Sequence, residues 1–596
     1  MMPTKLFTKF SEIAFDKVGQ HNPQLLREWQ GRLRWRNLLF TGILSLVVQG
    51  LLLGQRFTQL PLDKFSSTTY CVRQVSDNLS CQLGPDNFPL INWPFVWADV
   101  FRDVSFVMVW ALIVGGVYLL AADLSKESRR GTLNFLRMSP LSTRRMLIGK
   151  LLGVPILLYL GVGAMVPLHL ATGLLSQYPV GLLSSFYGLL GAIAFCFYTA
   201  SLWFTLLAKG LKGFQPWLMS GLSAGLLLLS WNIHQEDFTL DWFRLFNPLH
   251  ILSYWEVQGL SSTSTWPFGS GDYLHGFRDL GWFFLPVGSH SAWYGTFALA
   301  NTLMLGLWFW VVLERKFKTP AKTTLGKGQS YGVTLCLSVL MLGFNMQQLS
   351  GGKNQWAGNM EEFWSYPISM MIWGVLLMFL LLPAKQRVLD WARYRHQQPH
   401  VSSQSSTQRQ TPRSLRRQRS LLAHLMHHDG SPSVLAYGIN LGIIAGVLLL
   451  GLGVSSSLGS GVDPLEVSLV WFVCAAVLMV CALVVQWIAL SNLLHWGWVA
   501  FAAAAAMLVG WPVMLGMLGV SDDSALLHHL WLTTVIPQVT LIPNSVTSPG
   551  IAMAIATHLT VISTLSLLLG RRCQHLGESE WKALMKSSDL NASAPV

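Results

Sequence analysis

Hydrophobic and polar positions along the chain separate into long blocks rather than alternating at short period. An α-helix rises about 1.5 Å per residue, so crossing a hydrocarbon core of about 30 Å takes about 20 apolar residues. Apolar blocks of about that length occur at 38–54, 105–122, 151–174, 180–208, 214–232, 293–313, 331–347, 364–383, 434–456, 467–490, 496–519 and 549–570. Each predicts a membrane-crossing helix. The expected fold class is therefore all-α, a polytopic helical membrane protein with about twelve transmembrane helices. The first block follows 37 mixed residues, too far in for a cleaved secretory signal.

Loop lengths group the spans into two six-helix halves. In each half the second-to-third connection is the largest internal one (123–150 and 384–433), and the fourth-to-fifth is about five residues (209–213 and 491–495). The chain then reads as an N-terminal interfacial segment (1–37), a six-span module (38–313), two spans (314–383), a basic linker (384–433), four spans (434–570) and a tail (571–596). Within the linker, 397–420 is rich in Ser, Gln and Arg with no apolar period, as expected of a flexible strand near anionic headgroups. The outward segment 233–292 carries Trp242, Trp255, Trp266 and Trp282 among turn residues, which predicts short interfacial or re-entrant helices.

Composition agrees with the pattern. Hydrophobic residues make up 52% and charged residues 12%, about half the roughly 25% of soluble domains; mean hydropathy is +0.43. Too little polar surface exists to coat several water-soluble domains. With 26 Trp and 31 Phe beside only 7 Cys, disordered and disulfide-scaffold classes are excluded too. The net charge of +13 is a matter of topology. Segments 1–37, 123–150, 209–213, 314–329, 384–433 and 571–596 hold 34 of the 41 Lys and Arg but only 11 of the 28 acids. By the positive-inside rule that side is cytoplasmic, with both termini inside, and nucleic-acid binding is not expected. Cys71 and Cys81 share an outward loop, where oxidation permits a bridge; two free thiols are the alternative.

Two polar segments carry the candidate chemistry. Residues 22–36, NPQLLREWQGRLRWR, place Leu25, Trp29 and Leu33 on one stripe of a helix suited to the inner interface. Residues 123–150, DLSKESRRGTLNFLRMSPLSTRRMLIGK, are too polar for lipid and too long for a turn; Gly131 and Ser139-Pro140 break them into short helices. Glu127, Arg129 and Arg130 offer charged contacts, and Leu133, Leu136 and Leu141 an apolar insert.

These segments resemble the ABC type-2 transporter permeases. Asn22, Pro23, Glu28 and Arg32 match an NP-x-x-x-x-E-x-x-x-R pattern before the first span. Glu127, Gly131-Thr132-Leu133, Ser139-Pro140-Leu141-Ser142 and Gly149-Lys150 match the string between spans two and three, and Asn247-Pro248-Leu249 is a weaker likeness. The resemblance covers 22–313, and spans 7–12 are a departure from it. It implies the membrane subunit of an exporter in the bacterial plasma membrane, whose 123–150 segment docks on a separate dimeric ATPase. That partner would carry ATP and Mg, no cofactor being bound by this chain. A second copy or another permease would complete the pathway. The alternative is a permease-like scaffold or assembly factor without transport activity.

Other chemistry is weaker. No G-x-x-x-x-G-K-[ST] occurs, and Leu349-Ser350-Gly351-Gly352-Lys353, though close to an ATPase signature, falls in an outward loop. His424, His427 and His428 lack a carboxylate or thiolate partner and read as solvated. His169 and His558 read as packed polar residues, and Gly221/Gly225 and Gly438/Gly442/Gly446 as close-contact helix faces. No block contains Asp or Glu, so an ion-coupled carrier is disfavoured and an external energy source is expected. Mostly apolar spans with scattered Gln49, Asn301 and His169 favour an amphiphilic cargo. If the charge map is right, a cysteine at Ser405 is unreactive to an impermeant maleimide in intact cells. Labelling there from outside would overturn the orientation.

Overall fold

The computed structural model describes residues 17–60, 70–74, 77–85, 88–211, 213–232, 238–254, 280–346, 365–393, 421–457, 464–491, 493, 495–518, 531–534 and 549–577. The linker stretch 397–420 with Ser405, the 349–353 motif, Trp255 and Trp266 lie outside them. Each expected apolar block overlies helix. Nine described helices are long and apolar enough to cross a membrane, or ten if one pair bent by 65° is counted as a single span. The other two blocks, Gln215–Asn232 and Lys327–Asn345, are helical but carry polar residues at their ends, which lowers their hydropathy. The chain is thus a helical, multi-pass membrane protein. It divides into two compact units, Met1–Lys318 with Gln347–Gly352, and Thr319–Met346 with Lys353–Val596.

In the first unit, α1 (Pro23–Arg32) begins at Asn22, whose side chain accepts from the Leu25 N–H, with Pro23 at the first helical position. The first span, α2 (Trp35–Phe57), follows. A two-stranded antiparallel hairpin, β1 (Arg73–Gln74) and β2 (Asp77–Cys81), lies in the connection after the first span; no apolar block marks it. Cys71 beside it is disulfide-bonded, whereas the side chain of Cys81 is not among those described.

Next comes α3 (Trp93–Arg130), 38 residues with a π-turn at Ala111–Gly115. At about 1.5 Å per residue it is about 57 Å long, far more than the bilayer core, so both ends stand beyond the hydrocarbon. Its N-terminal end is held by charge. Arg56 donates to Asp103 at 2.6 and 2.7 Å, and the Tyr70 hydroxyl to Asp99 at 2.9 Å. Burial, reinforced by Asp99, pushes the Tyr70 hydroxyl up to about 12. At the C-terminal end Gly131 adopts φ +73°, a left-handed conformation that glycine takes without strain, and the helix stops. Then come α4 (Thr132–Met138) and α5 (Thr143–Gly153), separated by Ser139-Pro140.

The bundle continues with α6 (Ile156–Leu175), α7 (Val180–Leu207), α8 (Gln215–Asn232) and α9 (Ser291–Lys318). Two 3-10 helices, Phe238–Phe246 and Pro248–Tyr254, fold back onto it, as the tryptophan pattern predicts. Trp242 donates to Asn301 at 3.1 Å, and the Tyr294 hydroxyl to the Arg244 carbonyl at 3.1 Å. His169 is packed rather than a ligand: its ring nitrogens lie 2.8 Å from Ser105 Oγ and 2.7 Å from the Tyr187 hydroxyl. One apolar core runs from Val117 and Tyr198 down through Leu124, Leu206 and Phe317 to Leu133, Leu136 and Leu147. It ties α4 and α5 to the long apolar helices.

The second unit contains α10 (Lys327–Asn345), α11 (Ser365–Leu380), α12 (Lys385–Arg393), α13 (Leu421–His427), α14 (Val434–Ser457), α15 (Pro464–Ala489), α16 (Trp496–Met517) and α17 (Pro549–Gly577). Its buried Lys327 donates to the carbonyls of Leu425, Ser431 and Pro432 and to Ser431 Oγ at 2.6–3.2 Å. Burial pulls this ammonium down to about 8. The cation complements the C-terminal dipole of α13. His424 stacks on His428 at 5.7 Å, and the two form no metal-ligating cluster among the described residues.

A prediction follows from the tightest contact in the first unit. A Cβ at Gly116 would collide with the Tyr198 hydroxyl, which donates to the Leu112 carbonyl at 2.7 Å. Gly116→Ala should therefore destabilise the protein by about 1–3 kcal/mol, and Tyr198→Ala, which removes the whole ring that a Cβ there would strike, should make the double variant less destabilised than the sum of the two single losses. Thermal unfolding of the two single variants and the double variant checks this; purely additive losses would contradict it.

Candidate functional site

The two segments that carry the candidate chemistry meet on the same side of the first unit. Helix α1 lies against α5 because Gly149 and Gly153, one turn apart, have no side chains there. A Cβ at 149 would sit 2.9 Å from the Leu25 nitrogen, and one at 153 would sit 2.6 Å from Glu28 Cβ. Asn22 makes the junction specific. Its Oδ1 caps α1 while its Nδ2 donates to the Arg145 carbonyl at 2.7 Å.

Under that contact three carboxylates converge with three cations. Lys150, 1% exposed, donates to Asp123 at 2.7 Å and lies 2.8 Å from Glu127 Oε2. Arg32 bridges Asp123 at 3.0 Å and Glu28 at 3.2 Å. Arg27 lies 3.0 Å from Glu127 and 3.3 Å from Glu28. The formal charges balance. The carboxylates of Glu28, Asp123 and Glu127 lie within 4.8 Å of one another, a donor set that suits a metal ion. Here Lys150, Arg32 and Arg27 already neutralise them.

The network changes the roles expected of several residues. Glu127 is largely covered, and Gly149 and Lys150 are buried, so these hold α1, α3 and α5 together and offer no outward contact. Leu133 and Leu136 are 3% and 7% exposed and face the unit's own core, with Leu141 packed against it. The apolar side chains that α4 turns outward are Phe135 and Met138, 73% and 77% exposed. Arg129, Arg130, Gly131, Thr132 and Pro140 are exposed around them. Two cations brace this surface from behind: Arg137 donates to the Phe317 carbonyl at 2.8 Å, and Arg144 reaches Glu314 at 3.1 Å.

Sequence reasoning missed Asp123, Arg27, Gly153, Phe135 and Met138. For the first and third a signal existed: Asp123 stands four residues before Glu127 on one helix face, and Gly149-x-x-x-Gly153 is a small-x-x-x-small face. No protein-family model, curated protein or solved structure matches this chain.

The arrangement makes a steric and an electrostatic prediction. Gly149→Val or Gly153→Val should lift α1 from α5, and Glu127→Lys should do so by placing a second cation beside Lys150. Breaking such a covered pair costs about 3–5 kcal/mol. Trypsin added to the detergent-solubilised protein should then cut at Arg27 and Arg32 faster than in the wild type. Unchanged cleavage in all three variants would refute the latch.

Proposed function

We propose that this chain is the permease subunit of an ATP-driven exporter, and that α4 is where a separate ATPase docks. The observation that carries the reading is the outward face of α4, where Phe135 and Met138 stand exposed beside Arg129 and Arg130 on an internally locked base. An exposed apolar pair rimmed by cations fits a groove on an acidic-edged protein. The resemblance of 127–150 to the coupling region of type-2 permeases points the same way.

In this reading both termini and the docking face are cytoplasmic, the membrane is a bacterial plasma membrane, and two six-helix halves or two chains form the path. ATP and Mg belong to the partner, a dimer whose closure pushes on α4. Since α4 shares a core with α3, α7 and α9, and the ion network fixes α1 and α5 to α3, the push moves these elements together. The spans carry no carboxylate in their apolar blocks for an ion to ride on, and their apolar and aromatic lining suits an amphiphilic cargo.

The full chain, purified from its native membrane, should bring with it an ATP-hydrolysing partner. Phe135→Asp with Met138→Asp should cut the retained hydrolysis about tenfold or more while leaving the thermal transition of the permease in place. Equal retention by the double variant would rule out α4 as the docking face.

A further inference from the structure

The second unit contains a cavity that the transport reading does not use. It holds about 470 Å³ between α14, α15 and α17, within the ligand-sized range of about 300–1,000 Å³. All three helices are apolar enough to cross a membrane. The space exists because small residues leave it open. A Cβ at Gly442 would meet nothing within 4 Å, and Ala445 and Ala475 line the walls nearby. One turn away the helices do touch: a Cβ at Gly438 would lie 2.7 Å from Met479.

The chemistry of the walls decides what fits. They are formed by Leu448, Met479, Ile562 and similar side chains, and the Ser468 hydroxyl is already spent on the Pro464 carbonyl at 2.6 Å. Water would find too few partners there to stay. A dry void of this size forfeits the packing contacts of its whole wall. Leu449, Phe472 and Leu559 line the cavity while 44–55% exposed, so its mouth opens sideways, on the flank of these helices. From Gly438 to Leu449 the groove follows α14 for about 16 Å at 1.5 Å per residue, long and narrow rather than round. Trp471 also lines the cavity, is 3% exposed, and its Nε1–H is covered, so the wall there offers the space an apolar ring and no donor.

We propose that this cavity binds one acyl chain of a bilayer phospholipid, entering from the side. The site is independent of the ATPase contact, since every residue it uses lies in the second unit.

The test uses the full chain in nanodiscs doped with a phosphatidylethanolamine that carries a diazirine midway along one acyl chain. After irradiation, adducts should concentrate on Leu448, Met479 and Ile562, about tenfold above those on Leu450, which is 73% exposed on the same helix. Gly442→Leu fills the space and improves helix propensity, so it should remove the cavity adducts while leaving Leu450 labelled and the thermal transition no lower. Ala445→Leu gives the same answer by a second route. Cavity labelling equal to that of Leu450, or labelling that survives both substitutions, would overturn the site. So would a disulfide between Leu449→Cys residues of two copies, because a second chain would then be the occupant.

Discussion

An ammonium group that is almost completely covered must be paired, because taking a lone charge out of water costs several kcal/mol. Lys150 imposes that requirement here, and much of the first unit can be derived from it. Its carboxylates come from two turns of α3, Asp123 and Glu127, so α5 must run beside the C-terminal end of α3. Two carboxylates on one lysine leave excess negative charge, which recruits Arg32 and Arg27 from α1. Helix α1 can come close enough only because α5 has glycine at 149 and 153. Recognition of the N-terminal segment and rigidity of the α4–α5 pair are therefore the same interaction seen from two sides.

The same helix is clamped again at its far end. Asp103 and Asp123 are 20 residues apart on α3, about 30 Å along its axis, which is the thickness of the hydrocarbon core. Arg56 holds one carboxylate and Lys150 with Arg32 the other. Between them α3 is held by apolar packing and close contacts such as Gly116 against Tyr198. Such a helix is anchored by charge at both ends of its apolar stretch and carries no fixed charge between them.

Hydropathy made the helices legible, and even the two blocks with polar ends are helical. The paired segments around 22–36 and 123–150 were legible as well, but their roles were partly inverted. Glu127 and Lys150 look like exposed charges in a basic loop, because nothing local says that Asp123 and Arg32 will cover them. Helix α4 is only seven residues long, too short for its periodicity to separate Leu133 and Leu136, which pack inward, from Phe135 and Met138, which do not. Lys327 counts as one more positive-inside residue until the carbonyls that surround it are known. The β1–β2 hairpin, two and five residues long, falls below any pattern of alternation. In each case the missing information is a long-range partner.

The central claim is that Lys150 locks α1 to the α4–α5 pair, and a distance distribution tests it directly. Spin labels at Gly31→Cys and Asn134→Cys, both exposed positions, can be measured by pulsed dipolar spectroscopy in nanodiscs, with and without Lys150→Met. The account predicts one narrow distance in the otherwise wild-type chain and a broad distribution once the ammonium is gone. Equally narrow distributions at the same distance in both proteins would contradict it.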